Sequence, residues 1–248
     1  MFAAVDEPGM RSRVAPESAA MPRRGLSDAS EALAADRARA LSLTPVSRET
    51  AARLDRFVSL LLGWQRRINL IAPSTVDKVW TRHVADSLQL LPLAPAARAW
   101  IDMGSGGGFP GLVIACALAG VPDAVVHLIE SNGKKAAFLR EATRALQLPA
   151  TVHHARIEDF VASFDSQVDV VTARAVAPLS DLLERAEPLL KRGAQAVFPK
   201  GQDVEAELTQ TSKYWNIEAE FIPSLTDPRA RIVVVRRAER RRDNNRKL

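Results

Sequence analysis

Asp102-Met103-Gly104-Ser105-Gly106-Gly107-Gly108-Phe109-Pro110-Gly111 is the stretch that decides the fold. It lies between an apolar run at 99–103, read as a buried strand, and another at about 110–119, read as a helix. Glycines at this junction remove side chains, so the backbone can approach a ligand and deliver it to the helix N-terminus. A dinucleotide fingerprint needs G-x-G-x-x-G with the third glycine opening the helix. Counted from Gly104, that third position is Phe109. The pattern is instead Asp-x-Gly-x-Gly-x-Gly, with Asp102 two positions before the first glycine. An acid there repels a pyrophosphate and attracts a cation, such as a sulfonium or an amine. S-Adenosylmethionine is therefore the expected ligand, with Asp102, Gly104 and Gly106 around it. A dinucleotide, hence a nicotinamide-dependent oxidoreductase, and a plain glycine turn are the alternatives.

Outward from the loop, strands and helices alternate. Strands are expected at 124–130, 151–154, 168–173 and 193–198, with a closing pair at 215–222 and 231–235. Helices are expected at 134–146 and 178–190, with another opening near Asp203. Such alternation implies an α/β fold, a doubly wound, mostly parallel, Rossmann-like sheet. Upstream, Ser47 offers an N-cap to a helix whose Leu54, Phe57, Val58, Leu61 and Leu62 recur at helical spacing. A second helix is expected over 74–91, ended by Pro92 and Pro95. The expected organisation is a disordered extension (1–40), a small helical part (41–96), a cofactor-binding domain (97–235) and a basic tail (236–248). No helical or strand period precedes Glu31, and Met10 and Met21 are alternative starts.

Composition narrows the class. The 248 residues are 47% hydrophobic and 25% charged, the balance of a globular chain. The single cysteine, Cys116, excludes an intrachain disulfide and a cysteine zinc site, and it reads as inert packing. His83, His127, His153 and His154 show no metal-ligand spacing, so no metal is expected. No apolar run approaches the roughly 20 residues that cross a bilayer, and no apolar leader segment follows Met1. The net charge of +5 is unevenly placed: zero over 1–44, +4 over 45–100, −4 over 101–235 and +5 over 236–248. Polyanion contact at the two basic segments is expected.

Several side chains are candidates for the site. Glu130 ends the second strand, where an acid can take both hydroxyls of a ribose, or stand as an ordinary strand end. Arg174 ends a buried strand and needs a ligand anion or an acidic neighbour. His83 and Asp86 share a helical face, and His83 reads as packing or as a shaper of the pocket. Trp64, Arg66, Arg67 and Asn69 have the composition of a single-strand RNA surface, although Trp64 also suits a core.

Trp64-Gln65-Arg66-Arg67-Ile68-Asn69-Leu70, Arg82-His83-Val84-Ala85-Asp86-Ser87, the glycine loop with its Phe109-Pro110-Gly111, Ala155-Arg156-Ile157-Glu158, Ala173-Arg174-Ala175 and Lys200-Gly201 resemble the RsmG (GidB) family of bacterial 16S rRNA guanine-N7 methyltransferases. The resemblance spans about residues 41–235, and Gln65 departs from the asparagine common in that family. It implies a class I methyltransferase that uses S-adenosylmethionine, with Gly104, Phe109, Ile157, Glu158 and Arg174 contacting the cofactor. Glu158 also fits an ordinary helix-start acid, and Arg174 an internal ion pair. The implied target is a guanine in the decoding-region loop of 16S rRNA, free or in the small ribosomal subunit. The N7 of neutral guanine carries no proton, so no general base is expected, and no catalytic residue is named. The expected protein is a cytoplasmic monomer without a membrane partner. A non-enzymatic RNA-binding or ribosome-assembly factor on the same fold is the alternative.

Overall fold

Trp100 and Ile101 are neighbours in one strand and belong to opposite cores. The computed structural model describes residues 24–241, with side chains from residue 30 onward. Its seven strands, β1 (Ala99–Met103), β2 (Val125–Ile129), β3 (Ala150–His153), β4 (Val170–Thr172), β5 (Gln195–Lys200), β6 (Trp215–Pro223) and β7 (Arg231–Arg240), form one sheet in the order β3-β2-β1-β4-β5-β7-β6. The first five run parallel, and β7 is antiparallel to both β5 and β6. Strand order reverses between β1 and β4, and ligands of open α/β sheets bind outside the carboxyl ends of the strands at such a switch point.

Alternation along the strands builds two cores. Trp100, Val126, Leu128, Val197, Ile232 and Val234 face one way, with α2 (Arg48–Gln65), α4 (Gly111–Leu118) and α5 (Gly133–Leu146). Ile101, Met103, Phe198, Val233 and Val235 face the other, with α6 (Ile157–Ser163), α7 (Leu179–Leu190) and α8 (Val204–Thr211). The doubly wound architecture expected from the sequence is present. Cys116 is buried in α4, where burial pushes its thiol up to about 12, beyond useful reactivity.

The N-terminal helices are part of the first core. Leu54, Phe57 and Leu61 of α2 are fully buried, each contributing about 1.5–3 kcal/mol by apolar burial. Arg56 donates to the carbonyl of Ala145 in the last turn of α5 at 2.7 Å, where the helix dipole favours a cation.

Three expectations need correction. Helix α1 runs Arg24–Leu43, so 24–40 is not a disordered extension; residues 1–23 lie outside the described part. Between Glu31 and Ala40 its inward positions are Leu33, Asp36, Arg37 and Ala40, two of them charged, which is why no apolar period marks that stretch. The helix expected at 74–91 is a 3-10 turn (Pro73–Lys78), a π-helical turn (Trp80–Ala85) and α3 (Asp86–Leu88). Asp36 accepts from the Trp80 and Thr81 amides and the Thr81 hydroxyl, and Ser87 donates its hydroxyl to the His83 carbonyl at 2.6 Å. The Asp36 carboxylate thus takes two amides that an uninterrupted α-helix would bond internally. Finally, 236–240 is not a free tail, because β7 continues to Arg240 and pairs with the start of β6.

Candidate functional site

The glycine loop leaves β1 and turns into α4 over the switch point. Gly111 opens the helix; a Cβ there would stand 2.6 Å from Asp102 Oδ2. Asp102 is fully buried behind the loop and accepts the Gly111 amide through Oδ2 at 3.1 Å. Its Oδ1 is buried with no described partner. Burial pushes the carboxyl up to about 6 against the opposing pull of the Gly111 amide and Arg174. At Gly107 a Cβ would lie 2.8 Å from the carbonyl oxygen of Leu70, so the chain after α2 is laid on the loop's backbone. Gln65 shapes that crossing. Its Oε1 accepts from the Leu70 and Ile71 amides, and its Nε2 donates to the Ile71 carbonyl.

Glu130, at the end of β2, accepts the Gly106 amide at 2.8 Å through one oxygen and the Asn132 amide at 2.7 Å through the other. Each oxygen keeps a lone pair, and Glu130 lines the cavity. Gly106 sits at φ +55°, and a Cβ there would meet nothing closer than the Gly104 carbonyl at 3.8 Å.

The N-terminal part supplies the opposite wall. His83 accepts from Arg174 through Nδ1 at 2.7 Å and contacts Thr75 Oγ1 through Nε2 at 2.8 Å. The Thr75 hydroxyl donates to the Ala72 carbonyl, so His83 carries its proton on Nε2. Burial, then the charges of Arg174 and Arg82, push His83 down to about 3, so it is neutral at physiological pH. Arg174 also donates to Asp86 Oδ2 at 3.3 Å and lies 5.2 Å over the Phe109 ring, which stacks 4.9 Å from His83. The acidic neighbour that Arg174 required is Asp86.

A cavity of about 600 Å³ opens over these groups. Gly104, Gly106, Phe109, Glu130 and Arg174 line it. Asp102, Ile157 and Glu158 do not. Asp102 is behind the loop, Ile157 packs on the second core, and Glu158 pairs with Arg185 of α7 at 2.7 Å in the first turn of α6. Glu158 thus has the position of a helix-start acid. Trp64 donates to Glu141 at 3.2 Å and packs edge-on against Phe138, half-buried against the first core. Sequence reasoning missed Thr75, Lys200, Glu207 and Asp227 as lining residues; Lys200 stood in a quoted motif, and the others carried no local signal. Among the described residues no cluster could hold a metal ion, and no helix is long and apolar enough to cross a membrane.

Sheet order, glycine loop and strand-end acid define a Rossmann-like class I methyltransferase fold. An O-methyltransferase from Bacillus cereus, solved in complex with SAH, shares it with a TM-score of 0.55 at 13% identity, covering 84% of this chain and 100% of that one. Residues 50–233 match the family described as rRNA small subunit methyltransferase G, and the chain belongs to that family. It is 59% identical over 212 residues to the ribosomal RNA small subunit methyltransferase G of Bradyrhizobium sp. (strain BTAi1), covering 86% of this chain and 96% of that protein. With the protein of the same name from Bradyrhizobium diazoefficiens it shares 55% identity over 235 residues, 94% of this chain and 90% of the relative.

Proposed function

We propose that this chain transfers a methyl group from S-adenosylmethionine to N7 of a guanine in the decoding-region loop of 16S rRNA. Its relatives' names support the substrate class. The observation that carries the cofactor half is the backbone of Gly104–Gly107 open to a cavity beside Glu130. Three features fit the cofactor: room at Gly106, unused lone pairs on Glu130, and the unpartnered Asp102 Oδ1 lending negative potential behind the loop. When bound, S-adenosylmethionine supplies an electrophilic methyl group on a sulfonium.

The chain's own groups orient and exclude water. Glu130, on the cavity wall with a lone pair free on each oxygen, takes the ribose hydroxyls. Arg174, fixed by His83 and Asp86, holds the Phe109 ring flat against the site. Guanine N7 has a free lone pair, so alignment and electrostatic stabilisation suffice without proton abstraction. The neutral His83 is a positioning residue in this scheme. An RNA helix hides N7 in its deep groove, so the target base is unstacked from a loop.

Mass-spectrometric mapping of 7-methylguanine in 16S rRNA from cells with and without the protein tests the reading. Loss of one 7-methylguanine, restored by the purified chain with S-adenosylmethionine, is expected. An unchanged methylation map would leave a non-enzymatic assembly factor as the better account.

A further inference from the structure

The cavity extends past the glycine loop and Glu130 to the other side of the switch point. Beyond Arg174 it is lined by Pro199 and Lys200 at the end of β5, by Gly201 just after it, and by Glu207 of α8. The Lys200 side chain is only 9% exposed, and two of its ammonium protons are used, on Glu207 Oε2 at 2.7 Å and the Ala177 carbonyl at 3.0 Å. Glu207 spends the same oxygen twice, since Oε2 also accepts the Leu179 amide at 2.7 Å. No described group bonds Oε1. A buried ammonium with one free proton thus stands beside a carboxylate oxygen with no partner, on the wall of the cavity.

Guanine presents an acceptor, O6, next to a donor, N1–H, and adenine presents the reverse. Enzymes that take a base out of the stack read this edge by hydrogen bonds. We propose that Lys200 and Glu207 select the target guanine, Lys200 donating to O6 and Glu207 Oε1 accepting from N1–H. This rests on the guanine reading above. Methylation at N7 makes the purine cationic and N1–H more acidic, so the Glu207 bond strengthens as the methyl group arrives. A neutral-overall pair also accepts the base without an uncompensated buried charge.

Glu207→Gln isolates the idea. The Leu179 amide and Lys200 both require an oxygen, so the new NH2 replaces Oε1 and meets N1–H donor to donor. The test measures methyl transfer at several RNA concentrations to 16S rRNA carrying guanine, inosine or 2-aminopurine at the wild-type target, with affinity for S-adenosylmethionine titrated in parallel. Inosine keeps O6 and N1–H; 2-aminopurine keeps N7 but lacks both. The wild type is expected to accept inosine nearly as well as guanine and to lose roughly ten- to a hundredfold in kcat/KM on 2-aminopurine. Glu207→Gln should lose a similar factor on guanine, narrow the gap to 2-aminopurine, and keep its cofactor affinity. A wild type that treats 2-aminopurine like guanine overturns the proposal even if the variant misfolds. So does a Glu207→Gln protein with undiminished kcat/KM on guanine. A wild-type product other than 7-methylguanine would instead remove the reading beneath it.

Discussion

Two buried titratable groups at the site have opposite signs. Asp102 has its carboxyl raised to about 6 by burial, so the folded chain holds a proton that the unfolded chain has lost between about pH 4 and 6. Its ionisation therefore costs stability as pH rises through that window. Asp102→Asn removes the cost. Its stability relative to wild type should be about 1–3 kcal/mol better at pH 8 than at pH 4, as urea denaturation at both values would show. A constant difference would mean that the carboxylate is not desolvated in the folded protein. His83 works the other way. Burial and two arginines lower it to about 3, so its contribution is fully present above pH 6.5 and drains away as the solution is acidified towards 3. His83→Gln should flatten that acid limb, leaving the smaller shares from His127, which burial lowers to about 4, and from His153, which burial also lowers. In activity assays His83 should contribute no ionisation between pH 6 and 8.

At the scale of elements, the glycine loop separates into positions that serve folding and positions that serve the ligand. Gly107 carries the Leu70 carbonyl, and Gly106 faces the cavity. Gly107→Ala should destabilise the fold by about 1–3 kcal/mol, since backbone must move. Gly106→Val should keep the circular dichroism of a folded chain, apart from strain at a positive φ, and abolish titratable S-adenosylmethionine binding. Equal cofactor affinity in wild type and Gly106→Val would dissociate the loop from the cofactor. The loop and Glu130 are legible in the sequence because backbone approach and strand-end acids leave local marks within thirty residues. The alternation of buried strands and helices is legible for the same reason: two-residue and 3.6-residue periods are local. What is not legible depends on distant partners. Arg174 is explained by His83 and Asp86, which lie 91 and 88 residues before it. Helix α1 hides because Asp36 and Arg37 occupy its inward face, satisfied by the amides after Val79 and by Asp55 of α2. The π-helical turn follows from those same long-range bonds, and no spacing along the chain announces it.

For the whole molecule, the charge that looked like a detached arm divides at the edge of the sheet. Arg236 pairs with Glu220, Arg237 with Glu239, and Arg240 with Glu184 while lying 5.1 Å over the Trp215 ring. Exposed pairs of this kind contribute little stability singly, but the strand that carries them covers β6 from Trp215 to Glu218. Removing everything after Val235 should therefore unzip half of β6, expose Trp215 and lower stability, so it is a poor probe of RNA contact. Removing residues 242–248 deletes three basic groups, Arg242, Arg246 and Lys247, and one acid, Asp243. If those three cations touch rRNA phosphates, the slope of log affinity against log salt should fall in magnitude by about 2, from −0.7 per contact on a single strand. The choice of methylated base should stay as it was, because phosphate contacts position without specifying. Filter binding of 16S rRNA at three salt concentrations, beside a thermal melt of each truncation, separates the two effects. An unchanged slope with an unchanged melt after removal of 242–248 would move RNA binding to the other basic region. The exposed Arg66 and Arg67 follow α2 there, on the chain that Leu70 lays across the glycine loop.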